Sequence, residues 1–290
     1  MKYRVRHVTR YAYAEPVSLA AHVLHLEPRD FAYQSVIQAR VTVTPRPSRA
    51  SGRLDHFGNR ASWVFLDLPH ERLDVALEAV VQVDFPAPPP AEATPPWEWV
   101  AQWAREPLPE SWQAGEYALP SPLAPHEAQA TVYAASSFPP GCPVLAGLRD
   151  LNARIRRDFS FQPGLTTVAT PISRVMAQRA GVCQDFSHLM IAGLRGLGLP
   201  ARYVSGYLRT KPPPGAPLRR GADQSHAWVG AWLGPAYGWI DLDPTNDLVV
   251  SDEHVVLGWG RDYGDVSPVR GVILGGGAHG VTASVDLEPV

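Results

Sequence analysis

"GVCQDFSHLMIAGLRGLGLPARYVSGYL", residues 181 to 208, is the stretch that decides the fold. Phe186, Leu189, Met190, Gly193, Leu194 and Leu197 recur at helical spacing, and Gly198-Leu199-Pro200 closes that pattern. "ARYVSGYLR" then reads as a strand, so one helix runs almost directly into a sheet. Upstream the pattern is helical. Val144, Leu148, Leu151, Ile155 and Phe159 mark one helix. "TPISRVMAQRAG" predicts a second, capped by Thr170, with Pro171 at its first position and Gly181 ending it. Downstream it is β: "HAWVGAWL", "GWIDLDP" and "VTASVDLEP". Helices first and strands afterwards predict an α+β domain.

Residues 1–85 read differently. "YRVRHVTRYAY", "SVIQARVTVTP", "ASWVFLDL" and "RLDVALEAVVQVDF" alternate with period two, and Gly58-Asn59 marks a turn. They predict a β-sandwich-like N-terminal domain. Residues 86–96, "PAPPPAEATPP", read as a stiff linker, which assigns 97–290 to the α+β core. The net charge of −2 offers no field for nucleic acid or anionic lipid. No apolar run is long enough for a transmembrane helix, and the N-terminus lacks the apolar region of a signal peptide. Only Cys142 and Cys183 are present, too few for a disulfide framework. Together these predict a cytoplasmic protein.

Cys183 opens its helix, where unpaired backbone N–H groups and the helix dipole favour a thiolate and can stabilise an oxyanion. A reactive thiol needs a base. His188 lies about 140° around the same helix and points elsewhere. His226 begins the strand "HAWVGAWL", which turns through "GPAYG" and returns as "GWIDLDPTN". With residues 234–237 as the loop, Leu233 faces Gly238 and His226 faces Thr245. Asp243 then lies one diagonal step from His226 on the same face, roughly 7–8 Å away between backbones. Asp241 has the same parity but lies two residues further off. The candidate set is therefore Cys183, His226 and Asp243: nucleophile, base and orienting carboxylate.

These segments, with "SHAWVGAWL" and "GWIDLDPTN", resemble the core of the bacterial transglutaminase-like superfamily. "DFSFQPGLTTVATP" and "GRDYGDVSPVRGV" extend the resemblance, and "HVTRYAY", "LEPR" and "DHFGN" carry it into the β-rich N-terminal region. The resemblance implies a papain-like, transglutaminase-like α+β core with Cys183, His226 and Asp243 as its triad. It implies a thiol enzyme acting on peptide or protein amides through a thioester, as a protease or amidase or as an acyltransferase. The alternative is a non-catalytic protein-binding module on the same core. Position 230, where an acidic residue is expected after "HAWV", is glycine.

No cofactor or metal is expected. A calcium loop of the D-x-[DN]-x-[DN]-G kind is absent, and His22 and His25 lack further ligands at metal spacing. "GGGAHG", residues 275–280, precedes a strand pattern and reads as a glycine turn, not a dinucleotide loop. "KPPPGAPLRRGADQ", residues 211–224, has turn composition and is expected as a flap whose Arg219 and Arg220 face substrate. Trp228, Trp232 and Trp239 read as core, with Trp228 on the face of His226.

Overall fold

The alternation along the first residues forms a single long strand. A computed structural model of the chain describes residues 1–106, 111–210 and 224–290. In it β1 (Lys2–Leu24) is followed by β2 (Gln34–Thr44), β3 (Arg49–Leu54), β4 (Arg60–Leu66) and β5 (His70–Val83). All pair antiparallel. One edge of β1 carries β5 along residues 2–17 and β4 along residues 20–24, and β2 and β3 extend the sheet from these. Residue pairing slips between Ala12 and Val17, and the sheet curls there. Tyr13, Val17, Leu24, Leu66, Leu73 and Val75 fill one apolar cluster on it.

The proline-rich segment packs onto the core. A short 3₁₀ turn spans Ala91–Ala93. Thr94 is buried behind it; its Oγ1 donates to Ala91 O and accepts from Leu145 N–H. Next come α1 (Trp97–Trp103), α2 (Trp112–Glu116), α3 (Ala128–Ala135), α4 (Val144–Asp158), β6 (Ser160–Phe161), α5 (Ile172–Gln178), β7 (Ala180–Gly181) and α6 (Cys183–Gly196). The sheet of the core follows: β8 (Ala201–Leu208), β9 (Gln224–Trp232), β10 (Trp239–Asp243), β11 (Leu248–Val249) and β12 (His254–Gly260). Its spatial order is β11-β10-β9-β8-β12. Helix α6 lies on it, joining Phe186, Leu189, Met190 and Leu194 to Ala227, Val229, Ile240 and Leu242 in one cluster. Helix α5 departs from its predicted bounds. Pro171 is its N-cap and Arg179 ends it in the left-handed region, φ 51°, because Gly181 is held in the parallel β6–β7 bridge.

The chain ends with α7 (Tyr263–Val266), β13 (Val269–Gly275) and β14 (His279–Pro289). The glycine turn joins the last two, with Gly275, Gly276 and Gly277 at positive φ. Both strands pair with β1: β13 along residues 17–24 and β14 along residues 3–13. The strand pattern at the C-terminus is therefore right, but its place in the core is corrected. It covers the second edge of β1, because period-two alternation identifies a strand and not its partner.

The two sheets share an apolar interface of Tyr3, Val5, Leu77, Val81, Tyr207, Val255, Leu257 and Leu287. Two side-chain amides act there as backbone mimics on β12. Gln34 Nε2 donates to Val256 O and its Oε1 accepts from Val256 N–H, at 2.7 and 2.8 Å. Asn59 does the same for Trp259, at 2.8 and 3.0 Å. Nearly all of the expected flap, residues 211–224 with Arg219 and Arg220, lies outside the described residues. No described helix is long and apolar enough to cross a membrane.

Truncation after residue 268 uncovers the whole second edge of β1 and removes Val285 and Leu287 from the interface. The truncated chain should aggregate through that edge and unfold well below the full chain. Size-exclusion chromatography and thermal melting measure this. A monomer melting at the full-length temperature would contradict the topology.

Candidate active site

Asp185 builds the turn that presents Cys183. Val182 is the N-cap of α6 and offers no side-chain acceptor. Three residues on, Asp185 Oδ2 reaches back to accept from Val182 N–H at 2.8 Å and from Thr166 Oγ1 at 2.6 Å. Gly181 leaves room for this, since a Cβ there would stand 2.8 Å from Asp185 Oδ2. Burial raises the Asp185 pKa, and the two hydrogen bonds oppose it. Cys183 is a free, half-buried thiol at the head of the helix. Its backbone N–H is one of those that an α-helix leaves unpaired at its N-terminus.

The β9–β10 hairpin supplies the other two groups. Leu233 N–H donates to Gly238 O, and Asp241 lies opposite Gly230 and Leu242 opposite Val229. This is the register counted from a loop at residues 234–237. It puts Asp243 beside His226, with His226 Nε2 and Asp243 Oδ2 2.8 Å apart. The Cys183 thiol lies close enough for its charge to act on the imidazole. Burial disfavours the imidazolium, but the hydrogen bonds and charges of Asp243 and Cys183 outweigh it and raise the His226 pKa to about 10.

Asp243 is fully buried, with both oxygens occupied. Oδ1 accepts from Thr245 N–H and Asn246 N–H at 2.9 and 3.2 Å, and Oδ2 also accepts from Asn246 Nδ2 at 2.7 Å. His254 Nε2 stands 3.6 Å from Oδ2. Burial would raise this carboxyl, yet the contacts of His226, His254 and Asn246 hold it well below the usual carboxylate range. Asn246 and His254 are absent from the residues singled out in the sequence. Asn246 carries a signal, an amide three residues after a turn aspartate; His254 sits in an ordinary apolar strand and carries none.

The competing candidates are placed elsewhere. His188 is buried against Tyr203, and its Nε2 accepts from Tyr263 N–H; burial lowers its pKa to about 4. Asp241 accepts from Trp228 Nε1 at 2.9 Å and faces Arg202 at 3.6 Å. Trp228 is fully buried beside His226, with ring centroids 6.1 Å apart. Among the described residues no group of three or more His, Cys, Asp or Glu converges as a metal site.

Comparison with known proteins identifies the family. Residues 3–82 match the bacterial transglutaminase-like N-terminal region, and residues 141–244, which span Cys183, His226 and Asp243, match the transglutaminase-like superfamily. An uncharacterized protein of Mycobacterium tuberculosis is 41% identical over 99% of this chain and 93% of its own length. A structure described as "a Putative Cysteine Protease from Cytophaga hutchinsonii" superimposes with a TM-score of 0.74 at 20% identity, over 99% of this chain and 90% of that one. It shares the fold. A protein-glutamine gamma-glutamyltransferase of Pseudomonas aeruginosa is 32% identical over 103 residues, 33% of this chain and 15% of that protein.

The raised His226 contributes stability that is complete below its ordinary value of 6.5 and is lost as pH rises through about 10. The depressed Asp243 contributes stability present above 3.8 and lost as pH falls below it. Asp243→Asn should therefore cost most between pH 3.8 and 6.5, about 3–5 kcal/mol for breaking a buried pair. Urea unfolding across pH measures it, and a cost independent of pH would contradict the pair.

Proposed function

Because the chain belongs to the transglutaminase-like superfamily, we propose that it is a thiol enzyme forming a thioester with a peptide or protein amide. Cys183 is the nucleophile, His226 the base and acid, and Asp243 the group that orients His226. The observation that carries this reading is the His226 imidazole held 2.8 Å from a carboxylate saturated with hydrogen bonds, on a hairpin that packs against the helix whose first residue is Cys183.

The chemistry follows from the placement. His226, its pKa raised to about 10, already carries the proton taken from the thiol when Cys183 Sγ attacks the amide carbon. The carbonyl π electrons move to oxygen, and the backbone N–H of Cys183 at the positive end of α6 stabilises that oxyanion. When the intermediate collapses, His226 returns the proton to the departing amine and the thioester remains. Asp243 keeps the imidazole in one orientation and balances its charge throughout. The thioester then passes to water, giving a carboxylate, or to a second amine, giving a new amide.

Mass spectrometry of a peptide pool incubated with the protein, with and without a primary amine, tests this. Cleaved or deamidated peptides mean transfer to water, and amine adducts mean transfer to amine. No change in any peptide mass would contradict the reading. Asp243→Ala should lower the rate about 10³–10⁴-fold, and Asp241→Ala far less, since Asp241 bonds Trp228 and not His226. Equal losses would show that Asp243 has no particular hold on the base.

A further inference from the structure

A cavity of ≈ 670 Å³ lies between the curled sheet and the core sheet, and neither Cys183, His226 nor Asp243 lines it. Its size is that of a pocket for a small organic ligand. Phe31, Phe57, Trp112, Tyr117, Trp239 and Trp259 form aromatic walls. Two guanidiniums stand among them. Arg29, from the connection between β1 and β2, holds its Cζ 3.5 Å from the centre of the Trp259 ring. Arg202, from β8, stands 3.8 Å from the same ring and 4.4 Å from that of Trp239.

The charges around this pair leave one cation without its own carboxylate. Arg202 faces Asp241 at 3.6 Å, with both side chains 8% exposed. Arg29 Nη1 donates to neutral oxygens only, Phe57 O and Asn59 Oδ1, each at 2.7 Å. Asp55, which also acts on Arg29, is engaged by Asn59 and by His25 at 3.3 Å. Glu116 at the cavity wall pairs with His56 at 3.0 Å. Among the described residues the Nε of Arg29 and the Nε of Arg202 are both buried with no hydrogen-bond partner. Buried cationic donors without an acceptor are costly, and the two side chains that carry them both stack on Trp259 and line the one cavity.

Gly230 belongs to the same arrangement. It lies opposite Asp241, and a Cβ on it would come within 2.7 Å of Arg202 Nε and 2.8 Å of Asp241 Oδ1. The acidic residue expected at position 230 is replaced by empty space, Arg202 fills that space, and Asp241 on the partner strand supplies the carboxylate. The substitution leaves the Arg202 guanidinium lying across the sheet at the cavity wall.

We propose that this cavity binds a small monocarboxylic acid with a flat aromatic body. Its carboxylate accepts from Arg29 and Arg202, and its ring lies against the aromatic walls. A planar anion suits the fork of a guanidinium, and the matched charges make such bonds stronger than neutral ones.

Isothermal titration of the intact protein with 3-phenylpropanoate, 3-phenylpropanamide and acetate tests the proposal. The aromatic acid should bind one to one, at least about tenfold tighter than either the amide, which lacks the charge, or acetate, which lacks the ring. Gly230→Ala keeps both arginines and Asp241 but pushes the Arg202 side chain aside, and should weaken the acid by about tenfold. Absence of binding by the acid at about 10 mM, or equal affinity for acid and amide, would overturn the site. Wild-type affinity for the acid in a folded Gly230→Ala protein would overturn the role of Arg202. The comparison of acid and amide on the wild-type protein decides the question even if a variant fails to fold.

Discussion

A carboxylate with no solvent exposure, 2.8 Å from an imidazole, must be held in place by everything around it. Taking Asp243 out of water is unfavourable, and only its hydrogen-bond partners offset that cost. Its position at the end of β10 lets one oxygen bind the backbone of the following turn while the other faces the hairpin partner. The side chain of Asn246 in that same turn and His254 of β12 fill the remaining approach. The carboxylate therefore stays ionised and the imidazole keeps one orientation. The Asp185 turn is the counterpart on the helix side, fixing where α6 begins and so where Cys183 stands.

The curled sheet enters the account through β12. Gln34 and Asn59 pair with its backbone as if they were strand residues, and the shared apolar cluster holds β8 and β12 against β1 and β5. His254 begins β12, so the clamp that docks the N-terminal sheet also steadies a strand that touches Asp243. The same docking creates the Arg29–Arg202 cavity, whose aromatic walls come from both parts of the chain. His7, from β1, adds a buried polar tie at 2.7 Å to Tyr207 of β8.

What the sequence disclosed depended on the range of the interaction. The β9–β10 register followed from counting, because a short hairpin loop fixes every pair beyond it, and Asp243 was separable from Asp241 on that basis. Helix α6 was readable from its apolar spacing. The origin of β13 and β14 as partners of β1 was not, since some 260 residues separate the strands and alternation says nothing about the neighbour. Gly181 read as a helix end from composition, and its real constraint is a clash with Asp185, visible only in three dimensions. Gly230 stood out as a departure from the family pattern, and its meaning required the opposite strand and Arg202. His254 had no local signal at all.

The central claim is that Cys183 reacts because His226 and Asp243 serve it. The most direct measurement is the rate of iodoacetamide modification of each cysteine near pH 7, mapped by mass spectrometry. Cys142 is the internal reference: it is partly buried, touches Ser137 O and Pro143 O, and burial raises its pKa. The account predicts that Cys183 is alkylated at least about tenfold faster than Cys142, and that His226→Ala removes the difference. Equal rates at the two cysteines in the wild-type protein would contradict it.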